Sequence, residues 1–182
     1  MIVIYDHLGI FSVCRGAFML RYFGATNVRI MNGGLKKWLK EGRSVFCGPY
    51  TTGQGLEADG DYDYSIVDPA GAITTVKDMH KLAYQVVNKQ TETQITDARA
   101  TGRYEGGNVS GSISSPYAGL LNEEEGTFKS TQEMSDYLKE RGVDVNKPSV
   151  QMCGGGVTAC VLNIGMRICG AKQAALHDGG WT

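Results

Sequence analysis

An α/β fold, a parallel sheet flanked by helices, is predicted by two features of this 182-residue sequence. Short apolar runs alternate with stretches of helical spacing, and the alternating pattern occurs twice. Ile2 to Tyr5 reads as a strand; Phe11 to Phe23 has helical spacing through Val13, Ala17 and Leu20; Val28 to Met31 is a second strand. Gly33-Gly34 then breaks the chain before a short helix, Leu35 to Lys40, which Gly42 closes. Residues 47 to 72 are rich in Gly, Asp, Thr and Tyr, contain Pro49 and Pro69, and show no periodicity; they read as a linker.

A second alternating stretch follows. Thr75 can cap a helix running to about Asn88, with Val76, Met79, Leu82, Ala83 and Val86 on one face. Ile95 opens a strand into Asp97-Ala98-Arg99. Ser130 and Glu133 form a capping-box pattern for a helix that Gly142 ends. Ser149 to Met152 is a strand, Thr158 to Cys169 an apolar helix, and Ala174 to His177 a strand before Gly179-Gly180-Trp181.

The two stretches repeat one another. Val3-Ile4-Tyr5-Asp6, Gly9-Ile10, a helix, Gly24-Ala25, a strand and Asn32-Gly33-Gly34 make the first copy. Val150-Gln151-Met152-Cys153, Gly156-Val157, a helix, Gly170-Ala171, a strand and Asp178-Gly179-Gly180 make the second. The offset is 147 residues (153 minus 6) and becomes 146 after one gap (180 minus 34). Asp6 therefore stands where Cys153 stands in the other copy.

Composition excludes several classes. Hydrophobic residues make up 42% and charged residues 20%, as in ordinary globular proteins. A net charge of -1 gives no footprint for nucleic acid, and no apolar run is long enough for a membrane span. The N-terminus has neither the basic n-region of a signal peptide nor the Arg-rich pattern of a transit peptide. A processed chain would look the same, so a mitochondrial or a cytoplasmic setting is expected. The five cysteines are odd in number and contain no CxxC pair, so neither a disulfide framework nor a metal site is expected, nor any cofactor; a reducing compartment fits best.

The chemistry concentrates at Cys153-Gly154-Gly155-Gly156-Val157-Thr158-Ala159, which joins a strand to a helix. Consecutive glycines let backbone N–H groups turn inward as an anion nest, to which the following helix adds its positive end. A cysteine at the head of such a loop is held as a thiolate near neutral pH. The same N–H groups then stabilise a persulfide and anionic transition states. The bland alternative is a buried cysteine whose glycines merely allow tight strand–helix packing. A phosphate-binding P-loop lacks support because the Gly-Lys-Ser/Thr ending is absent.

Several ordered motifs together resemble the two-domain rhodanese and mercaptopyruvate sulfurtransferase family. Cys153 to Ala159 resembles its active-site loop, and Asp97-Ala98-Arg99-Ala100-Thr101-Gly102-Arg103-Tyr104 its Asp-Ala-Arg-x-x-Gly-Arg-Phe segment. Gly107 to Ser112 with Pro116 is a degraded Gly-His-Ile-x-Gly-Ala segment, and Asp178-Gly179-Gly180-Trp181 matches an Asp-Gly-Ser-Trp ending. Val3 to Asp6 and Asn32 to Trp38 match the family's inactive domain.

The resemblance implies a rhodanese-like fold: a partial, inactive copy over 1–46, a linker over 47–72 and a complete domain over 73–182. It implies Cys153 as the persulfide carrier and Arg103 as binder of a small anionic sulfur donor, thiosulfate or 3-mercaptopyruvate. Gly154, Gly155, Gly156, Val157 and Thr158 form the substrate cradle, and the acceptor is a thiol or cyanide. Arg99 and the three histidines are expected to be structural. The chain departs from the family at Gly155, where the mercaptopyruvate enzymes carry Ser, at Asn108, where the family has His, and in lacking a second substrate arginine. It also begins at the first copy's second-half strand, so another polypeptide is expected to cover that copy. These departures keep a second function open, a degenerate structural or accessory subunit of a larger assembly. Rhodanese-fold phosphatase chemistry is disfavoured, since those loops are one residue longer and end in Arg, where this chain has Ala159.

Overall fold

The computed structural model describes residues 1–46, 48 and 71–181; the expected linker, 47–72, falls outside the described residues except for Gly48, Gly71 and Ala72. The elements in order are β1 Ile2–Ile4, α1 Val13–Tyr22, β2 Val28–Ile30, α2 Gly34–Lys40, β3 Ile73–Thr74, α3 Val76–Val87, β4 Gln94–Asp97, α4 Thr101–Glu105 and β5 Ser112–Ser114. A 3₁₀ turn at Tyr117–Leu120 leads to the small antiparallel pair β6 Leu121–Asn122 and β7 Thr127–Phe128. Helix α5 Thr131–Glu140, strand β8 Ser149–Met152, helix α6 Val157–Ile168 and strand β9 Ala174–His177 complete the order.

The expected caps form. Thr75 Oγ1 accepts from the Asp78 N–H at 3.2 Å, and Ser130 Oγ accepts from the Glu133 N–H at 3.3 Å while Glu133 accepts from the Ser130 N–H at 3.0 Å. Helix α1 starts at Val13 rather than at Phe11, and the Phe11 and Val13 N–H groups at its entry both donate to the Asp6 carboxylate, at 3.1 and 3.3 Å. Strands β3 and β5 and helix α4 had no periodic signal. At two, three and five residues they are too short to show one, and the two strands are held by parallel neighbours.

The main sheet is parallel, in the order β3-β9-β8-β4-β5. All four residues of the central strand β8 are buried, as helices on both faces require. Val150 and Met152 pack with Ile95 and Met79 of α3, while Gln151 meets α6 on the other face. The buried Gln151 amide is matched by Ser149 Oγ at 2.8 Å and by Asn163 Nδ2 at 2.7 Å, so it carries little desolvation cost.

Helix α6 is apolar almost all round, burying Ala159, Cys160, Val161, Leu162 and Met166. Its second neighbour is α1, whose Val13 and Cys14 join the same apolar cluster with Ile10. Each fully buried aliphatic side chain here contributes about 1.5–3 kcal/mol, so the first 46 residues are fastened through α1 to the core around α6.

Strands β1 and β2 form a separate parallel pair whose hydrogen bonds reproduce those of the second copy at the same offset. The Leu35 N–H donates to Asp6 O and the Trp181 N–H to Cys153 O, each at 2.9 Å; Ala25 to Leu20 O and Ala171 to Met166 O are also both 2.9 Å. Arg21 donates to Val28 O at 3.0 Å and Arg167 to Ala174 O at 2.7 Å. The copies differ in burial. Val150 and Met152 are 6% and 0% exposed, while Val3 and Tyr5, at the matching positions, are 50% and 58% exposed.

Candidate functional site

Strand order puts the motif residues together. From β8 the chain crosses through α6 to β9 on one side; from β4 it crosses through α4 to β5 on the other. The crossovers diverge between β8 and β4, and beyond the carboxyl ends of such strands a crevice opens. Cys153 leaves β8 there. Asp97, Arg99 and Arg103 leave β4 beside it, with the Ala98 N–H donating to Met152 O at 2.8 Å.

The Cys153 side chain lies at the head of its loop, only 2% exposed, with Sγ accepting from the Gly156 N–H at 3.1 Å. Gly156 is the N-cap of the twelve-residue helix α6 and has φ +78°. It is the one member of the triplet in the left-handed region; Gly154 and Gly155 are not, and a Cβ on either would meet nothing within 4 Å. Positive φ in the triplet is thus confined to Gly156, while the other two leave room for a ligand. Val157 and Thr158 form the first turn of α6, half-buried, at the positive end of the helix.

A second segment braces the loop. The Trp181 N–H donates to both Cys153 O at 2.9 Å and Gly154 O at 3.0 Å, and Gly180, at φ +66°, lies so close to Gly154 O that a Cβ there would collide. The Trp181 ring lies 4.6 Å from the Arg99 guanidinium. Arg99 is buried, bound to Asp97 at 2.7–3.1 Å and to Gly107 O at 2.8 Å. It therefore carries structure rather than substrate, tying the exit of β4 through Trp181 to the Cys153 loop. His177 is structural as well, with Nδ1 2.9 Å from Thr74 O between β9 and β3.

Arg103 sits on α4 at the same end of the sheet as Cys153. Its side chain is exposed and has no hydrogen-bond or ion-pair partner among the described residues. Burial pushes the Cys14 thiol far up and the Cys160 thiol up to about 12, and Cys169 is half-buried.

Asp6 shows what the first copy does with the same cradle. Its carboxylate accepts from the N–H groups of Leu8, Phe11 and Val13 at 3.0, 3.1 and 3.3 Å, so a fixed anion fills the nest. Among the described residues no group of three or more His, Cys, Asp or Glu could hold a metal, and no helix is long and apolar enough to cross a membrane. A cleft of about 770 Å³ lies at the opposite, amino end of the strands, lined by Arg21, Arg167, Lys172, Ser149 and Ala174, and includes none of the Cys153 loop.

Sequence reading missed Arg15. It pairs with Asp178 across 163 positions and, coming from the first copy, belongs to no motif of the second.

No family model matches the chain. Curated relatives do. Human 3-mercaptopyruvate sulfurtransferase is 32% identical over 197 aligned residues, covering all of this chain and 61% of the relative. Thiosulfate sulfurtransferase of Gallus gallus is 32% identical over 192, covering all of this chain and 62% of the relative. Over its whole length the chain is similar to the rhodanese and mercaptopyruvate sulfurtransferases. It spans about three fifths of the length of these family members. Among solved structures, SseA of Escherichia coli, described by its rhodanese fold and as a 3-mercaptopyruvate sulfotransferase, superposes with TM-score 0.76 at 27% identity, covering 99% of this chain and 66% of that one. The sulfur transferase subunit of yeast mitochondrial complex I superposes with TM-score 0.76 at 25% identity, covering 98% and 66%.

Proposed function

We propose that the chain carries a sulfurtransferase site in which Cys153 shuttles sulfur from a small anionic donor to a thiol or cyanide. The Cys153 thiolate attacks the outer sulfur of thiosulfate; the S–S bond of the donor breaks, sulfite departs with the electron pair, and a persulfide remains on Cys153. An acceptor thiolate or cyanide then takes the outer sulfur and regenerates the thiolate. With 3-mercaptopyruvate the C–S bond breaks and the thiol proton ends on the carbon of pyruvate. Gly155 offers no hydroxyl for that transfer, so the loop is simplest to reconcile with a donor that moves no proton. The observation that carries the reading is the Gly156 N–H at 3.1 Å from Cys153 Sγ, at the positive end of α6. Gly154, Gly155, Val157 and Thr158 complete the cradle, and unpartnered Arg103 at the same sheet end is the candidate donor-binding cation.

Intact-mass measurement after incubation with thiosulfate tests it. One added sulfur on the wild type and none on Cys153→Ser are expected; sulfur uptake by the Cys153→Ser variant defeats the assignment.

In this reading residues 73–182 form a rhodanese domain and 1–46 a partial copy, joined by the linker 47–72. A second polypeptide then covers the partial copy, whose Val3 and Tyr5 are wet where Val150 and Met152 are dry. This gives substance to a second function, an accessory subunit with little turnover, favoured by the likeness to a complex I subunit and by Gly155 and Asn108. Either role suits a reducing compartment, mitochondrial or cytoplasmic. Light scattering separates the two states of the surface: a cooperative, strictly monomeric chain of 19.7 kDa removes the case for a covering partner.

A further inference from the structure

Arg15 reaches out of α1 to the turn after β9, where its Nη1 stands 2.6 Å from Asp178 Oδ1. The pair closes over Gly156, since a Cβ there would lie 3.1 Å from Arg15 Nη1 and 3.4 Å from Asp178 Oδ1. Gly156 is the residue whose N–H donates to Cys153 Sγ. The same guanidinium faces the Cys160 thiol, one turn into α6.

The internal repeat shows that this pair is no general feature of the fold. Arg15 aligns with Val161 or Leu162 (15 plus 146 or 147), and Asp178 with Asn32 (178 minus 146). Asn32 is uncharged and Oδ1 accepts from the Phe128 N–H at 2.9 Å. The backbone bonds around the two loops repeat, but the charge pair occurs only beside the loop that bears the cysteine.

We propose that Arg15, supplied by the first copy, is a positioning residue for the Cys153 site. It cancels the Asp178 carboxylate and pins the Gly156 turn, so the anionic sulfur meets N–H dipoles without a net negative charge beside them. Asp178 opens the turn that carries Trp181 onto the loop, which places its carboxylate close to the nucleophile. Without Arg15 that charge would oppose every anionic form of the sulfur. Across a few ångströms of partly wet protein the effect on rate is on the order of threefold to tenfold. The inference rests on the sulfurtransferase reading, and gives the first copy a direct part in it.

The test measures two rates at Cys153, sulfur uptake from thiosulfate by intact mass and carbamidomethylation by iodoacetamide by peptide mapping. It compares the wild type with Arg15→Gln, Arg15→Lys and the double variant Arg15→Gln/Asp178→Asn, each confirmed folded by its melting curve. Arg15→Gln is expected to slow both reactions about threefold to tenfold, Arg15→Lys to stay near wild type, and the double variant to recover. Wild-type rates in Arg15→Gln, or a double variant as slow as the single, overturn the proposal, the second outcome showing a purely structural contact. A wild type that takes up no sulfur yet alkylates with the expected ratios defeats the sulfur-transfer reading and leaves the role of Arg15 standing. A Cys153 inert to both reagents overturns both.

Discussion

Replacing Gly156 with alanine and, separately, Gly155 with serine separates the two jobs of the glycine triplet. Gly156 has φ +78°, a conformation that costs a residue with a Cβ roughly 1–2 kcal/mol. The added methyl would also stand 3.1 Å from Arg15 Nη1 and 3.4 Å from Asp178 Oδ1, so the ion pair must give by a few tenths of an ångström. The expected cost of Gly156→Ala is about 1–3 kcal/mol. For a chain of this size that lowers Tm by roughly 2–12 °C, at about 2–4 °C per kcal/mol. Gly155 has no positive φ and a Cβ there meets nothing within 4 Å, so Gly155→Ser should leave Tm within about 2 °C. Differential scanning calorimetry reads the melting, and intact mass after thiosulfate reads the sulfur. Gly156→Ala should also lose sulfur uptake, because the N–H that meets Cys153 Sγ moves with the turn. Equal melting of the two variants would refute the assignment of strain to Gly156 alone.

Three further outcomes are expected. Arg103→Ala should raise the thiosulfate concentration needed for half-maximal sulfur uptake by about tenfold or more while leaving Tm within about 1–2 °C, since the side chain is exposed and without a partner among the described residues; an unchanged concentration dependence rejects its role. Ser130→Ala removes the hydroxyl half of the α5 capping box, leaving the backbone N–H of residue 130 on Glu133, and should cost about 1 kcal/mol by urea unfolding, whereas a loss below about 0.3 kcal/mol would show the cap to be idle. Burial raises the thiols of Cys14 and Cys160, the latter from 9.0 to about 12, so the folded state holds these protons more tightly than the unfolded chain. Stability from this source is fully present below pH 9.0 and is lost as pH rises toward about 12; Cys160→Ala should make the alkaline loss shallower, and an identical alkaline profile would disprove the linkage.

Much of the molecule was legible before its coordinates. Strands β8 and β9 run over the residues expected of them, because Pro148 and Gly154 bound the first and Gly170 and Gly179 the second, marking short segments between turn residues. The caps at Thr75 and Ser130 were legible for a different reason: their hydrogen bonds span three residues, so donor and acceptor sit in one short window. The repeat reached further, because position-by-position likeness needs no knowledge of contacts. It set Asp6 opposite Cys153, and the matching 2.9 Å bonds to Asp6 O and Cys153 O follow that alignment. What the alignment did not show was Asp6 drawing three N–H groups onto its own carboxylate.

The sequence by itself determined the longer strands and helices, the twofold pattern, the family resemblance and the cysteine at the loop. These are encoded in periodicity, turn residues and ordered motifs, all of which act over neighbouring positions. Tertiary structure alone decided that β8 lies beside β4, so that Cys153 and Arg103 share one end of the sheet. It also decided that Gly156 alone of the triplet bears positive φ, that Arg99 serves Asp97 and Trp181, and that Arg15 meets Asp178. The last pair spans 163 positions and exists only because α1 packs along α6, and burial of Val13 and Cys14 against that helix, not any local signal in the chain, delivers the guanidinium to the loop.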